Sequence, residues 1–264
     1  MSEYLICGRK LKSCQVWFEP FRDVKTGDYA VFHGVEKPEK RRNIIAVDSQ
    51  RTLITDLSRD EQEIFSDFSA TVKNEIRRCE KDNVRFEIFT SDMILKNASV
   101  IKEFSDLYEG MYRQKGLDRS LNSKELAAYA EKGDLIVSAA YIDENPVIFH
   151  SYIVNGENSR FLHSCSEFRS EDKSIRSLIG RENKYLHWMD MQYLKCSGVR
   201  YYDWGGVFSF DEPNGIDKFK LSFGGGQCEY YNVTVVRTLK AKFAFAIKRL
   251  LKKQIWRKRK NNST

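Results

Sequence analysis

Proline is scarce, 4 in 264 residues, and glycine numbers only 15, so neither a fibrous repeat nor a disordered chain fits this composition. No internal repeat or low-complexity block interrupts it. No apolar run approaches the ~18 residues that a membrane-spanning helix needs. The cysteines, Cys7, Cys14, Cys79, Cys165, Cys196 and Cys228, include no C-x-x-C pair. That removes the usual zinc signature, and no metal is expected. The start, MSEYLICGRKLK, has no basic lead ahead of a long apolar core, so a reduced, cytoplasmic protein is the default expectation. Acidic residues are missing altogether after Glu229.

That last absence divides the charge. The net balance is +7, but the stretch from Tyr230 to Thr264 alone holds 11 Lys or Arg. Upstream, 33 basic residues face 37 acidic ones, a balance of −4. A slightly acidic body with a basic tail suits an anionic partner: a membrane surface, a lipid-linked substrate or nucleic acid. The tail reads as a helix over 238–258, with Leu239, Phe243, Ile247, Leu250 and Leu251 as an apolar stripe among lysines. Ile255 and Trp256 ahead of Arg257 to Lys260 resemble an interfacial anchor. An anionic membrane surface met through residues 238–260 is therefore expected ahead of tRNA, with the protein peripheral on the inner face.

With 41% apolar residues the chain can bury a sizeable core. Residues 1–50 read as short strands between charged loops, namely Cys14–Phe18, Tyr29–Val35 and Ile44–Val47. Leu53–Leu57 could add another, and Ser58 with Glu61 matches a capping box. One long helix is predicted over 60–82, a strand over 84–89, a second helix from Ser91 to Lys115 and a shorter one from Ser123. Leu135–Ile142, Pro146–Val154 and Arg160–Ser166 read as three antiparallel strands joined by tight turns. A polar loop and a helix over 179–196 follow. The expected divisions are 1–50, 51–236 and 237–264: a β-rich N-terminal part, a main domain and the basic tail.

The most informative stretch is VRYYDWGGVFSFDEPNGIDKFKLSFGGGQCEYY, residues 199–231. A strand ends at an acid and two glycines, a Pro-Asn-Gly turn leads into a short helix carrying Lys218 and Lys220, and three glycines precede a final strand. Small residues at a strand end let a ligand approach the backbone, and ligands favour strand carboxyl ends.

The order of elements resembles the GNAT acyltransferase fold, an α+β architecture with a central, mostly antiparallel mixed sheet flanked by helices. LITDLSRDEQEIFSDFSATVKNEIRRCEK at 53–81, IGRENKYLHW at 179–188, and YYDWGG with GIDKFKLSFGG at 201–225 are similar to segments of its Fem-type, peptidoglycan-bridge-forming branch. The resemblance covers about 50–236. It implies transfer of an acyl or aminoacyl group to an amine, on an amino-sugar or cell-envelope precursor. The donor it implies is acyl-CoA, with aminoacyl-tRNA as the alternative, and a catalytically silent membrane scaffold as a third reading. The chain is shorter than full-length Fem-type proteins and has no room for their coiled-coil arm.

The resemblance also distributes roles. Asp203 would orient or deprotonate the acceptor amine, with His163 in reserve; a strand-end loop cap is the plain structural alternative for Asp203. Lys220 would steady negative charge, supported by Lys218 and by backbone N–H groups at Gly205 and Gly206. A donor diphosphate would meet a helix start formed by Arg176, Gly180, Arg181 and Asn183, although Glu182 stands where a small residue is usual. Arg77 and Lys81, one turn apart, and Tyr202 complete the substrate candidates. His163 and Cys165 share a strand face, but direct attack by the amine needs no thiol.

Overall fold

The computed structural model describes residues 3–38, 42–167 and 172–261, with side chains in the last helix described as far as Leu251. The core of the expected polar loop, 168–171, and the anchor side chains from Ile255 to Lys260 lie outside the described residues. The strands are β1 (Glu3–Cys7), β2 (Lys12–Trp17), β3 (Tyr29–Val35), β4 (Ile44–Asp56), β5 (Phe86–Thr90), β6 (Leu135–Ile142), β7 (Asn145–Asn155), β8 (Asn158–Ser166), β9 (Tyr201–Val207) and β10 (Gly226–Val236). The helices are α1 (Glu61–Ser66), α2 (Ala70–Lys81), α3 (Ser91–Lys96), α4 (Ser99–Gln114), α5 (Ser123–Ala130), α6 (Lys173–Cys196), α7 (Gly215–Leu221) and α8 (Leu239–Asn261).

Two compact units result, Met1–Gln50 with Tyr230–Thr264, and Arg51–Glu229. Sequence reasoning placed all of 51–236 in one domain, whereas this division falls inside β10. The reason is pairing: Tyr231 to Val236 run antiparallel to β3, from Val35 back to Tyr29. In the first unit the strand order is β1-β2-β3-β10, with β2 and β3 parallel. Cys14, Val16, Ala30, Phe32, Val233 and Val235 form its core. The helix α8 buries Ala241 and sets the Phe245 ring 5.1 Å from Tyr29.

In the second unit the order is β4-β9-β8-β7-β6-β5. Every neighbouring pair is antiparallel except β8 and β9. A mostly antiparallel mixed sheet flanked by helices is thus what the chain builds. Strand alternation sends neighbouring residues of β7 to opposite faces. Phe149 stacks on Phe104 of α4, and His150 meets Asp190 of α6. The α6 side holds the larger core, where Phe65, Phe68, Val72, Ile76 and Cys79 meet Trp188, Met191, Trp204 and Phe223. Trp204 is fully buried and its indole N–H donates to Thr55 Oγ1 at 3.0 Å. Truncating such a residue to Ala costs about 3–5 kcal/mol.

Two predicted helices are each split. The span 60–82 breaks because Ser69 caps a new helix, accepting from Val72 N, while its own N–H donates to Ser222 O at 2.8 Å. Asp67 sits there against Gly224, whose φ is 74°; a Cβ on that glycine would lie 2.9 Å from the Asp67 Cβ. The cap of α1 is Asp60 rather than Ser58. The span from Ser91 breaks at Asn97, which is extended. Conversely, the two short strands expected around 44–57 are one continuous β4.

Candidate active site

The parallel pairing of β8 and β9 is short: Asn158 with Tyr201, Ser159 with Tyr202, and Arg160 with Asp203. The paired register ends there, and both strands continue to Ser166 and Val207. At this end Gly205 turns with φ 73°. A Cβ on it would sit 2.9 Å from the Phe161 carbonyl oxygen and 3.7 Å from both Arg160 Nε and Lys220 Nζ. Only glycine takes that backbone cheaply, and it leaves two cations facing a common point.

Asp203 organises the spot. Its Oδ2 accepts from Arg160 Nη1 at 2.7 Å, and its Oδ1 accepts from Gly205 N at 2.9 Å and from the Thr52 hydroxyl. Thr52 Oγ1 also lies 2.9 Å from Gly205 O. The pair Arg160–Asp203 is nearly buried, with side chains 12% and 13% exposed. A desolvated pair of this kind survives only with further hydrogen bonds, which Thr52 and Gly205 supply at Oδ1.

The short helix α7 delivers Lys220. Asn214 and Asp217 form a capping box at its start. Asp217 further accepts from Phe208 N and Ser209 N, binding the β9–α7 loop to the helix. One turn on, Lys220 is buried and its Nζ donates to Gly206 O at 2.7 Å. Burial, then the charge of Arg160, pushes its pKa down to about 8, against the pull of Asp203 and Asp217. Arg160, Asp203 and Lys220 together carry a net positive charge, suited to a group that is or becomes anionic.

A cleft of about 650 Å3 lies in the same unit, lined by Ile54, Thr55, Asp56, Arg59, Asp67, Gly224, Gly225, Gly226, Gln227 and Cys228. Burial chiefly, and then the charge of Asp203, raises the Cys228 thiol.

Other expected site residues lie elsewhere. Tyr202 is fully buried, its hydroxyl 2.9 Å from that of Tyr152 and 2.8 Å from His187 Nδ1, so it is a core residue and not a substrate contact. His163 and Cys165 do share a face, but it is the α4 face. The His163 ring meets Tyr108 at 5.9 Å rather than Asp203, and burial lowers its pKa. The helix expected to begin at Ile179 begins at Lys173, capped by Asp172, whose carboxylate accepts from Ser174 N at 2.7 Å. Gly180 thus falls inside α6, where its N–H is spent on the helix rather than offered to a diphosphate. Around it, Arg176 is partly exposed, Arg181 lies beside Cys79, Glu182 turns inward, and Asn183 Oδ1 lies 2.8 Å from His150 Nε2. Arg77 stacks over Phe65 at 5.4 Å and lines a separate depression of about 510 Å3 with Lys73, Trp188 and Gln192. Lys81 and Lys218 are exposed.

Sequence reasoning missed Arg160 and Thr52. An Arg at a strand start reads as a solvated end, and only the β8–β9 register sets it beside Asp203. A helix–strand hydrogen bond is the sequence expectation for His187, and the structure extends it into a buried polar network between sheet and α6. Asp190 Oδ2 meets His150 Nδ1 at 2.8 Å and accepts from the Tyr152 hydroxyl at 2.6 Å, and Tyr152 continues to Tyr202 and His187. Among the described residues His150, His187 and Asp190 are the group whose ligand atoms converge enough to hold a metal, within 4.8 Å. Here the two rings stack at 4.1 Å. His150 is bonded through both ring nitrogens and His187 through Nδ1, so the group is occupied as a hydrogen-bond network.

Among solved structures, the C-terminal domain (DUF2156) of a candidate lysylphosphatidylglycerol synthetase from Agrobacterium fabrum aligns over 95% of this chain and 89% of its own, with TM-score 0.52 and 11% identity. FemX aligns over 75% of this chain and 63% of its own, with TM-score 0.55 and 14% identity. L-PGS from Bacillus licheniformis aligns over 94% and 88%, with TM-score 0.50 and 9% identity. The chain has the GNAT-like acyltransferase fold. No family model matches the sequence, and no curated protein matches it at a significant level. At these identities the likeness is one of fold, and within this GNAT-like frame the candidate chemistry is that of the residues around Asp203.

Proposed function

We propose that this protein is an acyltransferase that moves an acyl or aminoacyl group from a thioester or ester donor to an amine on an amino-sugar or envelope precursor. The observation that carries this reading is the buried Lys220 ammonium beside Arg160 and Asp203, at the end of the β8–β9 pairing. The acceptor nitrogen attacks the donor carbonyl, forming a C–N bond and a tetrahedral oxyanion. Lys220, pre-desolvated and held by Gly206 O, faces that charge. Asp203 Oδ2 receives the proton released by the amine and returns it to the departing thiol or hydroxyl. Arg160 and Thr52 are the positioning residues that aim the carboxylate.

The donor expected from sequence is acyl-CoA. An aminoacyl ester on tRNA is the second reading, favoured by one observation: Gly180 N–H lies inside α6 and offers no diphosphate cradle. One fold neighbour, whose name specifies a lysyl product, is in keeping with an aminoacyl donor. Calorimetric titration with acetyl-CoA, free CoA and aminoacyl-tRNA separates them. Micromolar CoA binding, lost in Asp203→Asn or Lys220→Met, supports the first donor. Binding to charged tRNA alone supports the second. Binding to neither, with no amine acylated in the presence of acceptor, overturns the transferase reading in favour of a silent scaffold.

A further inference from the structure

Within the first unit α8 has two unlike sides. One is turned inward: Ala241 is fully buried and Phe245 packs edge-on to Tyr29. Thr238 ties the helix start down, its hydroxyl 3.0 Å from an Asp28 carboxylate oxygen. At about 100° per residue, Leu239, Phe243, Ile247 and Leu250 share the opposite side, and Leu251 borders it. These five are 53–71% exposed. A single exposed leucine needs no explanation, but a continuous stripe of large apolar side chains over three turns does.

The flanks of the stripe are cationic. On the same projection Lys240 lies to one side, and Lys242 and Arg249 to the other. No acid occurs in α8 or anywhere after Glu229. The helix is not built to cross a bilayer: no helix of the described residues is long and apolar enough to do so. An apolar stripe between cationic flanks, on a helix anchored by its far side, has the form of an element lying in the plane of a bilayer interface. Nucleic acid would use the cations but leave the stripe wet.

We propose that the outer face of α8 docks the protein on an anionic lipid bilayer, the apolar stripe entering the headgroup boundary and Lys240, Lys242 and Arg249 meeting lipid phosphates. This rests on the helix surface alone and not on the acyl-transfer reading.

Co-sedimentation of the full chain with vesicles tests it without any catalytic readout. The probes are phosphatidylcholine vesicles and vesicles of phosphatidylcholine with phosphatidylglycerol. The expected result is binding to the anionic vesicles at least about tenfold stronger than to the neutral ones, weakened by salt. Replacing one flanking cation, as in Lys242→Gln, should lower partition about fivefold, the equivalent of ~1 kcal/mol. The pair Phe243→Glu with Ile247→Glu should abolish binding while leaving the thermal unfolding midpoint unchanged, because both side chains face solvent. If that midpoint falls, Phe243→Ser with Ile247→Ser is measured instead, with the same expected loss. Vesicle binding that survives removal of the stripe, equal partition to neutral vesicles, or retention on RNA but not on vesicles would each overturn the proposal.

Discussion

Lys220 shows how burial of a single side chain ties stability to pH. The fold lowers its pKa from 10.5 to about 8, chiefly by burial. Between those values the unfolded chain holds a proton that the folded one has released, so stability contributed by this residue rises with pH from about 8 to 10.5. At neutral pH the buried ammonium costs about 3 kcal/mol, partly offset by about 1 kcal/mol from its bond to Gly206 O. Lys220→Met should therefore be more stable than the parent at pH 7 by ~1–2 kcal/mol. The gain should vanish near pH 10, while acyl transfer is lost. Urea melts at the two pH values test this; a less stable variant at pH 7 would mean that Lys220 is a structural anchor rather than a strained catalytic cation.

At the scale of elements, α6 carries a second buried charge. Glu182 is 2% exposed, its Oε2 has no hydrogen-bond partner, and burial raises its pKa to about 7. From 4.5 to 7 the folded chain binds the extra proton, so stability falls as pH rises through that window. Glu182→Gln should stabilise the fold at pH 8 by ~2–3 kcal/mol and match the parent near pH 4, as read from denaturant midpoints. The same helix shows where sequence signals stop. Gly180 stands where the likeness of Arg176 to Glu182 to a donor-phosphate loop puts a helix start, yet Asp172 with Ser174 supplies the real cap eight residues earlier. The strands from Leu135 to Ser166 were legible because alternation and the turn residues Asp143 to Asn145 and Asn155-Gly156 act locally. The break at Ser69 was not legible, since its N–H is claimed by Ser222, which is remote in sequence.

For the whole molecule, the candidate chemistry lies in Arg51–Glu229, and α8 belongs with Met1–Gln50. A chain ending after Arg237 loses the buried Ala241, the packing of Phe245 on Tyr29 and the Thr238–Asp28 bond. The first unit should lose about 2–4 kcal/mol, seen as faster amide exchange in β2 and β3. Donor affinity should stay within roughly twofold, as expected for a separate site. A large drop in donor affinity would place α8 in the donor site and require the site to be redrawn.

By itself the sequence determined the element types, the strand ladder from β6 to β8, the acid–glycine end of β9 beside the Lys220 helix, and the charge asymmetry of the tail. Each follows from a local cause: side-chain period, turn chemistry or composition. Tertiary structure decided which of the named residues meet. Arg160 and Thr52 reach Asp203 only through strand register across 43 and 151 residues of chain. That Tyr202 points away from Asp203 already follows from strand alternation, whereas its partners in the core, Tyr152 and His187, come from tertiary structure. The tail's apolar stripe faces solvent because Ala241 and Phe245, on the other side of the same helix, are the residues that find partners.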